Sequence, residues 1–213
     1  MKIKHWMTSN PLTVKPNTPL MDAAQLVRDD QIRRRPVVER GRVVGMLTHR
    51  NIMEASPSAA TSLSVWELNY LMSKLTVAEV MRKDPICVSP EDSVMEVIQT
   101  GHEQGIGAFP VVERGRLVGI VTETEIYQAV VALFGDPRWE SFIELENLQL
   151  DQRVGAMSRI AGIVEAHNLP VLAMFSMPQR RRAGHQRLYI RVQGKKIDAA
   201  VEDLKAHGYK VAE

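Results

Sequence analysis

The sequence predicts an α+β protein built from three small units, two of them copies of one another. Three observations carry that prediction. Residues 36–52, PVVERGRVVGMLTHRNI, return at 110–126 as PVVERGRLVGIVTETEI, an offset of 74. Held without a gap over residues 6–52 against 80–126, that offset gives 18 identities in 47 positions, where ordinary composition gives about three. The last third of the chain lacks this repeat and alternates strand and helix periodicities of its own.

Each copy opens with a short extended piece, residues 11–14 and 85–88, followed by Pro16 and Pro90. A proline with its φ preset is a favoured first helical residue, so helices are expected to start there. The first covers about residues 18–30, with Ala23, Ala24, Leu26 and Val27 among its apolar positions. Its counterpart follows Ser89 and Pro90 and runs to about Gln104. Two β-rich stretches come next, 36–38 and 43–47, joined by Glu39-Arg40-Gly41-Arg42. That is a tight hairpin, with Gly41 free to take positive φ. A second helix starts after Thr48 and after Thr122. One hairpin and two helices do not close a core, so the two β-α-β-β-α copies are expected to pack about a pseudo-twofold axis. Between them, residues 64–72 form an amphipathic helix with a capping box at Ser64 and Glu67.

The C-terminal third reads as a strand at 139–145, then a helix at 155–167 with Met157, Ile160, Ile163 and Val164 on one stripe. Strands follow at 170–177 and 188–192. A helix at 197–207 carries Ile197, Ala200, Val201 and Leu204, stops at Gly208, and leads to a last strand at 209–211. The order β-α-β-β-α-β is that of the ferredoxin-like split unit. The expected divisions are therefore 1–60, a linker helix at 61–75, 76–134 and 138–213.

Composition narrows the function classes. The 213 residues are 45% hydrophobic and 24% charged, and 27 Lys+Arg against 25 Asp+Glu leave a net charge of +2. This is a globular composition, too balanced to call for a nucleic-acid or membrane partner. Cys87 is the only cysteine, so no internal disulfide forms and a reducing compartment fits. Its counterpart is Thr13, and it reads as a small core residue. Met7, Met81, Met21 and Met95 recur with the repeat and read as packing residues. The first residues lack a signal-peptide pattern, and residues 129–134 are too short for a membrane span; a cytoplasmic protein is expected. No phosphate loop, nucleophile elbow or metal-ligand spacing occurs. The expectation is a protein that is not an enzyme and carries no catalytic cofactor or metal. The Arg-rich stretch 178–187 reads as a mobile hairpin loop.

The repeated pattern Met…Pro…Val…Pro…Pro-Val-Val-Glu…Gly…Val-Gly…Thr-x-x-(Asn/Glu)-Ile resembles a tandem pair of CBS domains. Such pairs form disc-like modules that bind adenosyl ligands. The C-terminal unit is similar to an ACT domain, a fold that binds amino acids or dimerises metabolic proteins. Of that family's Asp-x-Pro-Gly turn, Asp151 and Gly155 are present at wider spacing, without the proline. The combination is similar to the acetoin-utilisation accessory (AcuB-type) proteins.

This resemblance implies a site. In CBS pairs a Thr-x-x-Asp motif at the start of the second helix meets the ribose diol, a carboxylate offering two acceptors to two O–H donors. The motif stands here as Thr48-x-x-Asn51 and Thr122-x-x-Glu125. Asn51 loses the charge and Glu125 sits one methylene further out, so either change shifts ligand preference or abolishes a site. The family commonly places a phosphate-binding His or Arg ahead of Pro-Val-Val. Here Ile32-Arg33-Arg34-Arg35 stands in the first copy and Ile106-Gly107-Ala108-Phe109 in the second. Read alone, the arginines are a solvated helix end, since long cationic chains keep their heads in water. Read with the family, one phosphate-competent site is expected from Arg33, Arg34, Thr48, Arg50 and Asn51, with the adenine against Pro85, Ile86 and Ile106. A second site, Leu12, Thr122 and Glu125, would lack a phosphate partner. The expected ligand is AMP, ADP, ATP or S-adenosylmethionine. The resemblance also implies a homodimer and a regulated metabolic enzyme as partner. A structural adaptor whose pair has lost its ligand is the alternative.

Overall fold

A computed structural model describes residues 1–30, 32–55, 64–136, 138–150, 154–179 and 182–212. The chain divides into two compact units, Met1–Ala129 and Val130–Glu213. Residues 56–60 of the first predicted division, Asp151 of the predicted turn, and Arg180 and Arg181 of the predicted loop lie outside the described residues.

The first unit contains strand β1 (Thr8–Ser9), helix α1 (Leu20–Asp29), strands β2 (Arg34–Glu39) and β3 (Arg42–Thr48) and helix α2 (His49–Ala55). After α3 (Val65–Lys74) and the single turn α4 (Val77–Val80), the pattern returns. It runs through β4 (Arg82–Lys83), α5 (Val94–Gln104), β5 (Ala108–Glu113), β6 (Arg116–Thr122) and α6 (Glu123–Phe134), whose residues from Val130 onward belong to the second unit. Both hairpins turn on Arg-Gly. Arg40 and Gly41 have φ of 51° and 81°, and Arg114 and Gly115 have 49° and 77°. Positive φ at both central residues matches the right-handed twist of the flanking strands. The α3 capping box forms as the sequence predicts, with Ser64 and Glu67 exchanging bonds.

The helices start later than the prolines suggest. Backbone turns close at Thr18 N to Lys15 O and Asp92 N to Ser89 O, both 3.1 Å, and α5 opens only at a capping box of Ser93 and Glu96. The cap satisfies first-turn amides that a proline start leaves open.

The extended pieces are also displaced. Val14 and Val88 make single parallel bridges to Val37 and Val111. The short strands lie earlier in the chain, and they cross over. Thr8 and Ser9 pair with Ile120 and Gly119 of the second copy, while Arg82 and Lys83 pair with Met46 and Gly45 of the first. The sheets are therefore β2-β3-β4 and β5-β6-β1. The cores follow the same exchange. Ile3 is buried with Val88, Val94, Val97 and Phe109, and its repeat equivalent Val77 is buried with Leu20, Val37 and Leu47. Each copy's opening segment completes the other's core. A β-carbon on Gly119 would lie 2.6 Å from Met7 Sδ, and one on Gly45 would strike Met81, so glycine lets the crossing segments approach. Met46 and its repeat equivalent Ile120 meet in one buried cluster with Ala108; the copies are related by a pseudo-twofold axis.

Three packing expectations fail. Cys87 is exposed, because it sits on the outward position beside Val88. Met21 and Met95 are exposed too, unlike Met7 and Met81; they lie on the outer faces of α1 and α5. Arg35 is no solvated helix end. Among the described residues it is the one buried charged side chain, 2% exposed, and its repeat equivalent is the fully buried Phe109.

The second unit holds β7 (Glu140–Leu148), α7 (Ala156–Glu165), β8 (Val171–Pro178), β9 (Gln186–Gln193), α8 (Asp198–Ala206) and β10 (Lys210–Val211). Its sheet is antiparallel throughout in the order β10-β7-β9-β8. Ile143 and Leu145 stand opposite Ile190 and Leu188 and pack on Ile160, Val164, Ala200 and Leu204. Alternation puts Phe142, Phe175 and Tyr189 on the other face, where the Phe134 ring lies 6.2 Å from Phe142 and 5.3 Å from Phe175. The next residue, Gly135, has φ 74°, and a β-carbon there would strike the Glu140 carboxylate and lie 2.7 Å from Arg191 Nη1. Gly135→Ala is expected to lower the calorimetric unfolding temperature by several degrees, from about 2 kcal/mol of strain and crowding.

Candidate ligand-binding site

Two cavities lie on opposite sides of the pseudo-twofold axis of the first unit. The first, about 410 Å³, is lined by Arg34, Thr48, Arg50, Asn51, Glu54 and Arg82, together with Met46, Pro85, Ile86 and residues 105–108. The second, about 650 Å³, is lined by Thr8, Pro11, Leu12, Ile32, Arg33, Arg34 and Ile120, together with residues 122–125 and Tyr127. Adding 74 to Thr48, Arg50 and Asn51 gives Thr122, Thr124 and Glu125; subtracting 74 from Arg82, Pro85, Ile86 and Ile106 gives Thr8, Pro11, Leu12 and Ile32. The cavities are repeat equivalents. Both fall in the size range of small-molecule sites.

Each cavity takes one wall from each copy. Seven of the eight residues expected at the first site, Arg34, Thr48, Arg50, Asn51, Pro85, Ile86 and Ile106, line the first cavity together. Arg33 does not. It lines the second cavity with Leu12, Thr122 and Glu125, which therefore has the cationic neighbours that the sequence reading denied it. The cause is the crossing of the chain. The Arg33 carbonyl accepts from His49 N at 2.9 Å, which ties the backbone to its own copy while the next turn of space belongs to the other. Arg82 was missed. Its signal was present: it follows Met81 where Thr8 follows Met7, in the segments that cross.

The threonine motifs are helix caps first. Asn51 Oδ1 accepts from the Thr48 amide at 3.0 Å and from its hydroxyl at 2.7 Å, and Asn51 N returns a bond to Thr48 Oγ1 at 3.2 Å. Asn51 Oδ1 is thus engaged, and what Asn51 has left to offer is its NH₂ donors. Glu125 Oε2 accepts from the Thr122 amide at 2.8 Å and hydroxyl at 2.5 Å, and Oε1 accepts from Thr8 Oγ1 at 3.0 Å. Burial pushes the Glu125 carboxyl up, but the bonds from Thr122 and Thr8 outweigh it and hold the group below its ordinary value. Glu125 is ionised at neutral pH; Oε2 is filled by its two bonds from Thr122, and Oε1 keeps one acceptor site beside its bond from Thr8.

Charge separates the two cavities. The first has Arg34, Arg50 and Arg82 against Glu54, with Arg50 Nε 2.7 Å from Glu54 Oε1 in an exposed pair. The second has Arg33 and Arg34 against Glu123 and Glu125. One cavity is electropositive and the other is balanced.

The CBS domain model matches residues 3–58 and 77–132, more than half of the chain. The chain belongs to the CBS domain family. Its first unit is a tandem CBS pair, and the matched residues end before the second unit's sheet. CBS domain-containing protein YhcV of Bacillus subtilis (strain 168) is 30% identical over 119 residues, 56% of this chain and 78% of that protein. Several other curated relatives are longer, and the chain spans less than half of each. Among solved structures, a Vibrio cholerae protein provisionally assigned to acetoin utilization (AcuB) superposes with a TM-score of 0.53 at 26% identity, over 64% of this chain and 98% of that one. The CBS domain pair of protein MJ0100 does so with a TM-score of 0.51 at 26% identity, over 62% and 97%. That structure is a complex with 5′-methylthioadenosine and S-adenosyl-L-methionine. Among the described residues of this CBS-pair protein, no helix is long and apolar enough to cross a membrane.

Proposed function

We propose that this protein is a regulatory, non-catalytic sensor that binds an adenosyl ligand in its CBS pair. The observation that carries the reading is the pair of repeat-equivalent cavities, each walled by both copies. A ligand held there touches both copies and so favours one packing of them over another. The ligands of the MJ0100 pair support the class. The charge difference supports a division within it: AMP, ADP or ATP in the first cavity, where Arg34, Arg50 and Arg82 would surround a phosphate, and an uncharged or cationic adenosyl ligand in the second. Arg33 belongs to the second site on this reading.

The antiparallel sheet and two helices of the second unit support a ferredoxin-like, ACT-like reading of that unit and an AcuB-type architecture on this proposal, with divisions near 1–60, 61–75, 76–134 and 138–213. Its role is to carry the ligand signal, through its own packing or through a homodimer, to a regulated metabolic enzyme in the cytoplasm.

Thermal shift of the full chain against AMP, ADP, ATP, S-adenosylmethionine, 5′-methylthioadenosine and a panel of amino acids tests this. A ligand that binds the native state alone adds ~2.7 kcal/mol at a hundred times its dissociation constant. Stabilisation by an adenosyl compound is expected. A flat response to all of them favours the second reading, a structural adaptor, for which the engagement of Asn51 Oδ1 and Glu125 Oε2 in helix caps and of Glu125 Oε1 by Thr8 already speaks.

A further inference from the structure

Arg34 stands in the wall shared by the two cavities and lines both. Its Nη2 is 3.1 Å from Glu123 Oε2, and Glu123 lines the second cavity but not the first. The pair passes over Gly107, which lines the first cavity. A β-carbon on Gly107 would lie 2.6 Å from Arg34 Nη2 and 2.7 Å from Glu123 Oε1, so only glycine leaves room for the pair in that place. The repeat equivalent of Gly107 is Arg33, and the equivalent of Arg34 is Ala108. Ala108 and His49, the repeat equivalents of Arg34 and Glu123, cannot form a matching pair on the other side of the axis. The bridge is a single, asymmetric link between two otherwise equivalent sites.

The link is also weak enough to be broken by a ligand. The Arg34 and Glu123 side chains are 32% and 54% exposed, and an ion pair so open to water contributes little on its own. A phosphate group offers the guanidinium a bidentate, charge-assisted alternative. We infer that the Arg34–Glu123 pair couples the two cavities by charge. An anionic ligand in the first draws Arg34 off Glu123, and the second cavity, left with Arg33 against Glu123 and Glu125, becomes selective for a cationic ligand. The inference rests on the ligand-sensing reading above and adds its regulation. By linkage the effect is reciprocal, so the cation in the second cavity tightens the anion in the first.

Titration calorimetry on the full chain tests the coupling, with S-adenosylmethionine as the cationic sulfonium probe and 5′-methylthioadenosine as its neutral counterpart. Each is titrated with and without saturating AMP. AMP should tighten S-adenosylmethionine by about five- to tenfold and leave 5′-methylthioadenosine nearly unchanged. In Glu123→Gln, AMP alone should bind more tightly, because Arg34 is no longer engaged, and the enhancement of S-adenosylmethionine should vanish. Gly107→Ala pushes a methyl between the two groups while keeping every charge, and should also remove the enhancement. If AMP leaves S-adenosylmethionine unchanged or weakens it, or if the enhancement survives in Glu123→Gln, the coupling is overturned while adenosyl binding stands. If neither AMP nor S-adenosylmethionine gives heat, the sensing reading falls and the coupling with it.

Discussion

Arg35→Ala is expected to destabilise the first unit by about 3 kcal/mol, seen as a lower midpoint in urea unfolding with little change in slope. The side chain is buried where the second copy has the Phe109 ring. Its Nη2 donates to the Leu26 carbonyl at 2.8 Å and pairs with Asp30. Leu26 lies in the last turn of α1; its carbonyl accepts from the Asp30 amide at 3.2 Å and takes the Arg35 bond on its second lone pair, where a cation meets the negative end of the helix dipole. Alanine removes the packing, the cap and the partner of Asp30 together. Arg35→Met should recover roughly half, since it refills the volume without the bonds. Arg35→Phe should not do better, although the repeat places phenylalanine there. In the second copy Gly101 faces the ring, a β-carbon at that position lying 3.4 Å from Phe109 Cε2. The first copy has Val27 instead, itself buried, and overpacking costs about 1–3 kcal/mol. An Arg35→Ala protein within 1 kcal/mol of the wild type, an interval far below the loss of a buried pair, would show that this arginine is not the keystone of α1.

Arg82→Ala is expected to weaken AMP by about thirtyfold, the ~2 kcal/mol of one hydrogen bond to a charged group. Arg33→Ala should leave the AMP site within about twofold, well under the cost of a direct contact. The contrast separates the two ways of assigning the basic residues. The local text puts Arg33 beside Arg34 and so beside Thr48; the folded chain puts Arg33 in the second cavity and Arg82 in the first. Calorimetric titration of AMP into both variants checks it, with circular dichroism to establish that each is folded. Equal losses in the two variants, or a loss only in Arg33→Ala, would return the phosphate to the site read from the sequence.

Much of the molecule was legible because its signals are local. The turns at Gly41 and Gly115 announce hairpins, since glycine takes positive φ without steric cost; that Arg40 and Arg114 take it too is imposed by the twist of the flanking strands. Ser64 with Glu67 announces the start of α3. The apolar spacing of Ile160 and Val164, and of Ala200 and Leu204, announces the helices that cover the second unit's sheet. The misreadings have equally definite causes. Pro16 and Pro90 are compatible with a helix start but do not compel one: α5 waits for the capping box of Ser93 and Glu96, and α1 opens after Pro19. Cys87 and the outer methionines carry apolar side chains at positions whose exposure depends on what lies opposite.

The sequence by itself determined the duplication, the element types, the turn chemistry and the motif Thr-x-x-Asn/Glu at each second helix. Those follow from steric and hydrogen-bonding preferences acting over a few residues. Only the tertiary structure decided which copy supplies each wall of each cavity. Ile3 and Val77 exchange cores, β1 and β4 exchange sheets, and Arg33 thereby lines the cavity of Glu125 rather than that of Asn51. The crossing joins residues more than a hundred positions apart, such as Thr8 and Ile120. Its free energy comes from burial and pairing between distant segments, and no preference within either segment encodes its partner.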